Sequence, residues 1–159
     1  MRSHTFRSTV RRPLAALAGV LALVLALAGC SAPDSHTFSP STGDKVRVSL
    51  DTSDGYSMTN DDPFVISKDG KELSEGTFFY GDYYQYFVDE VKKEGKVKEL
   101  DKGDYEGNDY VLWELDRDGT KEYDYAIKVK DCSSSVLLSN QVSEASAKEV
   151  FQRLKITKG

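Results

Sequence analysis

Two Asp-Gly pairs, Asp69-Gly70 and Asp118-Gly119, each sit between segments rich in apolar residues, and that arrangement leaves this chain few folds to choose from. Asp-Gly suits a two-residue turn in which both residues take positive φ, the turn that closes a β-hairpin without splaying its strands. Lys68 to Lys71 therefore joins Pro63–Ile66 to Leu73–Tyr80, and Asp116 to Gly119 joins Tyr110–Leu115 to Glu122–Lys130. Hairpins impose antiparallel pairing. On the second one, Val111, Trp113 and Leu115 alternate with other residues, as do Tyr123, Tyr125, Ile127 and Val129.

The remaining segments fit around these hairpins. Val46, Val48 and Leu50 alternate as a half-buried strand, and Asp51 to Gly55 is turn chemistry. From Asp82 to about Glu94 the period changes: Tyr84, Phe87, Val88 and Val91 fall at i, i+3, i+4 and i+7, which predicts a helix capped by Asp82 and stopped at Gly95. Lys96–Leu100 and Ser135–Asn140 read as two more strands. Ala147, Val150, Phe151 and Leu154 mark a last helix over about 144–154, capped by Ser143. The order is three strands, helix, four strands, helix. It predicts an α+β domain over 45–159, a twisted antiparallel sheet of six or seven strands covered by two helices.

The first 29 residues are built differently and are set aside from the fold. Arg2, Arg7, Arg11 and Arg12 precede an apolar run from Leu14 to Gly29, sixteen residues long. A permanent span needs roughly 20 apolar residues, so the run fits the core of a signal peptide better than an anchor helix. Arg11-Arg12 is followed by Pro13-Leu14, a poor twin-arginine pattern, so general secretion is expected. The run ends in Leu27-Ala28-Gly29-Cys30, which resembles the lipobox of bacterial lipoproteins. That resemblance implies cleavage before Cys30, a diacylglyceryl group on its thiol, and a domain held on the extracytoplasmic face of a cell membrane. Several acyl chains would make the attachment stable.

The leader carries four of the 21 basic residues and none of the 26 acids, so the mature chain has a net charge of about −9. Such a surface excludes non-specific nucleic-acid binding and is repelled by an anionic bilayer, leaving the lipid to do the tethering. From Ser31 to Asp44 the composition is Ser, Thr, Pro and Asp with Phe38 the one large apolar side chain, which reads, with Cys30, as a flexible tether over 30–44.

The layout of the domain resembles the PsbP-like fold, found in a photosystem accessory subunit and in small bacterial lipoproteins. The likeness lies in element order, in Gly55-Tyr56 followed by Pro63-Phe64-Val65-Ile66, and in Ser143-Glu144-Ala145 leading to Phe151-Gln152-Arg153-Leu154. It implies a fold and no catalytic residues, and a shared fold does not transfer a function.

Residues that might carry chemistry are sparse. His36 is the sole histidine after the leader and lies in the tether, without the fixed geometry a ligand or general base requires. With Cys30 consumed by lipid, Cys132 has no partner within the chain and no histidine to activate it, so it reads as a small half-buried residue, with an intermolecular disulfide outside the cytoplasm as the alternative. Zinc lacks ligands. Asp51, Asp54, Asp61 and Asp62 cluster, as do Asp104, Glu106, Asn108 and Asp109, but neither group has the spacing of a calcium loop. No cofactor or metal is expected.

Seven of the ten residues from Phe78 to Phe87 are aromatic. Strand alternation and helical spacing bury some of them and leave Tyr83 and Tyr86 on the flanks of the helix stripe. Two readings stand: core and core edge, or an exposed ledge of Tyr80, Tyr83 and Tyr86 for a protein, peptide or glycan partner. The expected function is thus a monomeric, non-catalytic binding or envelope-accessory domain on a lipid anchor. The alternative is a surface hydrolase using paired carboxylates, for which Glu75, Asp82 and Glu114 are available.

Overall fold

The turn residues do what their backbone freedom allows. In the computed structural model, which describes residues 32–93 and 96–159, Asp69 and Gly70 take φ of 51° and 77°, and Asp118 and Gly119 take 54° and 87°. A third turn of the same kind occurs at Glu106-Gly107, with φ of 54° and 84°. The expected signal peptide over 1–29, the expected lipid site Cys30 and the expected helix stop at Gly95 lie outside the described residues.

Among the described residues these segments form ten strands and two α-helices. They are β1 (Asp34–Phe38), β2 (Val46–Leu50), β3 (Tyr56–Met58), β4 (Phe64–Lys68), β5 (Lys71–Tyr80), α1 (Tyr84–Lys93), β6 (Val97–Tyr105), β7 (Asn108–Arg117), β8 (Thr120–Lys128), β9 (Ser134–Asn140), α2 (Glu144–Gln152) and β10 (Leu154–Lys158). Seven form one antiparallel sheet in the order β3-β4-β5-β9-β8-β7-β6, and a separate sheet has the order β1-β2-β10. The α+β class and the large antiparallel sheet with two helices are as the sequence predicts.

Alternation along β7 sends its side chains to two different cores. Val111, Trp113 and Leu115 pack with Ala126 of β8 and with Tyr84, Val88 and Val91 of α1. Leu112 points the other way, into a larger core with Tyr125 and Ile127 of β8, Val136 and Leu138 of β9, and Ala147, Val150 and Phe151 of α2. Val46, Val48, Leu50 and Ile156 of the small sheet join that second core. The layers are therefore α1, the large sheet, and then α2 together with the small sheet. At an apolar side chain's worth of roughly 1.5–3 kcal/mol each, burial on both faces is the main force holding the large sheet.

The tether over 30–44 requires correction. Asp34–Phe38 is a strand paired with β2 from Asp34↔Leu50 to Phe38↔Val46. Phe38 is 6% exposed, with its ring centroid 5.2 Å from Phe64 and 5.3 Å from Phe78. One buried aromatic and a full main-chain ladder suffice for an edge strand, even though its composition reads as linker. The loop that follows is also fixed: Asp44 N–H donates to Ser133 Oγ at 2.7 Å and Ser133 N–H donates to Asp44 Oδ2 at 3.0 Å. The folded domain begins at Asp34, eleven residues before the predicted Lys45.

At the other end, α2 stops at Gln152 and the chain adds β10 to the free side of β2, with Leu154 and Ile156 turned inward. Ser143 caps α2 as predicted, accepting from Ser146 N–H at 3.1 Å. Asp82 does not cap α1; it lies in a 3₁₀ turn over Gly81–Tyr83 and makes no capping bond.

Candidate functional site

The aromatic run divides three ways, with some members buried in the two cores and Tyr80, Tyr83 and Tyr86 exposed. Phe78 joins the core shared with the small sheet, whereas Phe79, Tyr84 and Phe87 pack under α1. Phe79 and Phe87 lie 5.0 Å apart by ring centroid, and Phe87 lies 6.0 Å from Trp113. Burial pushes the Tyr84 phenol up to about 12, with nearby Asp109 adding to the effect.

Above this buried floor the remaining three face solvent. Tyr80, Tyr83 and Tyr86 are 54%, 60% and 62% exposed, respectively. Their rings touch in series: Tyr80 and Tyr83 have centroids 6.0 Å apart at 55°, and Tyr83 and Tyr86 have centroids 6.4 Å apart edge to face at 85°. The sharp passage from β5 into α1 puts them side by side. Gly81 makes that passage possible, because its N–H donates to Ser133 O at 2.7 Å and a Cβ there would come within 3.0 Å of the Cys132 and Ser133 carbonyl oxygens. Contacting aromatic rings lose little further entropy on binding, and each phenol keeps a polar tip for a partner.

The carboxylates are arranged otherwise than the sequence suggests. Glu75 lies on an open depression of about 360 Å³ together with Glu122, Ser139 and Gln141. Glu114 is on the opposite face of the sheet, 2.9 Å from Lys121 Nζ, and that bond holds its carboxyl below the usual range. Asp82 sits beside the tyrosines in the 3₁₀ turn. Glu75, Asp82 and Glu114 therefore do not converge.

Two acids that the sequence reading passed over are buried instead. Glu122 is 8% exposed and ion-paired with Arg117 Nε at 2.6 Å. Asp124 is 3% exposed, and burial pushes its pKa up to about 7, with Glu122 raising it further and Ser139 and Arg117 pulling it down. Its Oδ1 and Trp113 Nε1 are both sealed from solvent without a hydrogen-bond partner among the described residues. Asp124 does not line the depression next to it. A general acid needs access to substrate as well as a suitable pKa, and Asp124 lacks the first.

The other clusters have structural duties. Arg153 Nη2 binds Asp54 at 2.7 Å, with Asp51 3.6 Å from Nη1. Asp104 accepts from Gly107 N–H at 3.1 Å, closing the turn, and Asn108 Nδ2 donates to Ile156 O at 2.9 Å, tying β7 to β10. His36 Nε2 lies 3.0 Å from Asp34 Oδ1 within β1, and Cys132 Sγ lies 3.9 Å from Lys45 O. Among the described residues no group of three or more His, Cys, Asp or Glu side chains is placed to hold a metal ion, and no helix is long and apolar enough to cross a membrane.

Known proteins add nothing to this geometry. The chain matches no family model, no curated protein and no solved structure.

Proposed function

We propose that the protein is a bacterial lipoprotein, anchored through Cys30 on the extracytoplasmic face of the cell membrane, whose domain is a non-catalytic binding or envelope-accessory module. Its partner surface is the ledge of Tyr80, Tyr83 and Tyr86, and the partner is a protein, peptide or glycan. The observation that carries this reading is three contiguous tyrosines, each more than half exposed, in mutual ring contact over a buried aromatic floor. Large aromatic side chains are the residues that most often dominate binding energy, and a cluster of them left in water is costly unless something covers it.

The alternative, a carboxylate-dependent hydrolase, has Glu75 and Glu122 on one depression. Glu122 is engaged by Arg117 and Asp124 is sealed away, so among the described residues this depression offers no free acid–base pair. The likeness to PsbP-like domains bears on the order of elements and supplies no site residue.

The test is capture of partners from solubilised membranes by the mature protein and by a Tyr83→Ala, Tyr86→Ala variant, with a Glu75→Gln variant beside them. Loss of the captured partner in the tyrosine variant alone is the expected result. Unchanged capture by that variant would overturn the ledge.

A further inference from the structure

We propose that the outer face of the small sheet β1-β2-β10 is the membrane-facing side of the domain and docks on the anionic phospholipid headgroups of the bilayer that holds it. This rests on the anchoring reading above and adds an orientation to it. Alternation places Val46, Val48, Leu50, Leu154 and Ile156 inward. The outward positions are then Ser35 and Thr37 on β1, Arg47 and Ser49 on β2, and Lys155 and Thr157 on β10, which lie across from one another in the ladders. All six are hydroxyl-bearing or basic, and none is acidic, in a mature chain whose acids far outnumber its bases.

The cations on this face are available. Arg47 is exposed and has no ion pair among the described residues. Lys155 has one, to Glu106 at 3.3 Å, between side chains 63% and 41% exposed, a pair that solvent screens and that is readily exchanged for another anion. Asp51 and Arg153 close the rim, and Asp54, Asp51 and Ser53 engage the Arg153 guanidinium. The face is hollowed by a depression of about 510 Å³ that Ser35, Arg47, Ser49 and Lys155 line. A guanidinium fork beside an ammonium and several hydroxyls is the donor set that phosphate oxygens accept.

The leash selects the bilayer as the source of those phosphates. Pro33 lines the same depression, and only residues 31–33 separate β1 from Cys30. That length of chain spans at most about 14 Å. The start of β1 is thus held close to the headgroups, at a distance comparable to the Debye length of about 8–10 Å. Most of this acidic domain is repelled by an anionic leaflet, and turning the small sheet toward the lipid is the orientation that brings bases rather than acids to it. The lipid tethers and the face orients.

The test uses the full mature protein extracted from membranes and reconstituted in vesicles of phosphatidylcholine alone or mixed with phosphatidylglycerol. Flotation is scored first, followed by the acetylation rates of Lys155 and of Lys93, which lies on α1 across the large sheet. Each basic residue near an anionic leaflet favours contact by about fivefold, so Lys155 is expected to react about fivefold more slowly in the anionic vesicles, with Lys93 unchanged. Added salt or an Arg47→Glu substitution should restore the rate. Equal Lys155 rates in both vesicle types, with the protein afloat, would overturn the orientation while leaving the anchor intact. Failure to float with either type would overturn the anchor and the orientation with it.

Discussion

Asp124 lies directly opposite Trp113 across the β7–β8 ladder, and the two side chains share the face that α1 covers. The carboxyl is neutral in the folded state up to a pH of about 7 because charging it there would place an ion in an apolar layer beside Glu122. In the unfolded chain the same group ionises near 3.9. Between those values the folded state holds the extra proton, so the contribution of Asp124 to stability is complete below about pH 4 and is lost as pH rises through 7.

Asp124→Asn should accordingly be tolerated and should gain on the native protein as pH rises. Chemical denaturation from pH 4.5 to 7.5 is expected to show the native protein losing on the order of 3 kcal/mol relative to the variant across that range. A difference that does not vary with pH would contradict the buried, protonated state.

Phe38 distinguishes a folded β1 from a tether. Its ring is buried against Phe64 and Phe78, so Phe38→Ala should cost about 3 kcal/mol or more in urea unfolding. A residue in a flexible leader would change stability by less than about 0.5 kcal/mol. A result in that lower range would remove β1 from the core.

The tyrosines should separate by position. Tyr83→Ala is expected to leave stability within about 0.5 kcal/mol, since the side chain faces solvent. Tyr84→Ala, one residue on, opens the core beneath α1 and should cost about 3 kcal/mol or more. Thermal denaturation of the two variants side by side checks the division, and equal losses would mean that the ledge is part of the core.

Much of the fold was legible where local chemistry has one outcome. Asp69-Gly70 and Asp118-Gly119 could be read as primed turns because both pairs suit positive φ, whereas Glu106-Gly107 escaped because glutamate is an unusual occupant of that position. The length of β6 was hidden with it: an edge strand mostly of Lys, Glu and Asp, with Val97, Leu100 and Tyr105 unevenly spaced along it, has no regular apolar alternation to reveal it. β1 and β10 were missed for a related reason, since each is a short strand at the side of a small sheet and takes its stability from β2 rather than from its own composition.

The buried acids were missed by choosing one face. Tyr123, Tyr125 and Ile127 mark one covered side of β8, which makes Glu122 and Asp124 look solvated. The large sheet, however, is covered on both sides. The clue was present: a two-residue turn at Asp118-Gly119 fixes the register of the hairpin, and counting back from it sets Trp113 against Asp124. The tyrosine ledge was partly visible in helical spacing, but its ring contacts depend on the turn at Gly81, which spacing does not reveal.

Orientation and location both rest on Cys30, and mass analysis of the amino-terminal peptide of membrane-extracted protein examines it most directly. The expected peptide begins at Cys30 and carries a diacylglyceryl group on the thiol, while a Cys30→Ala chain remains an unprocessed precursor. A mature chain that begins elsewhere, or a Cys30 with a free thiol, would contradict the anchor.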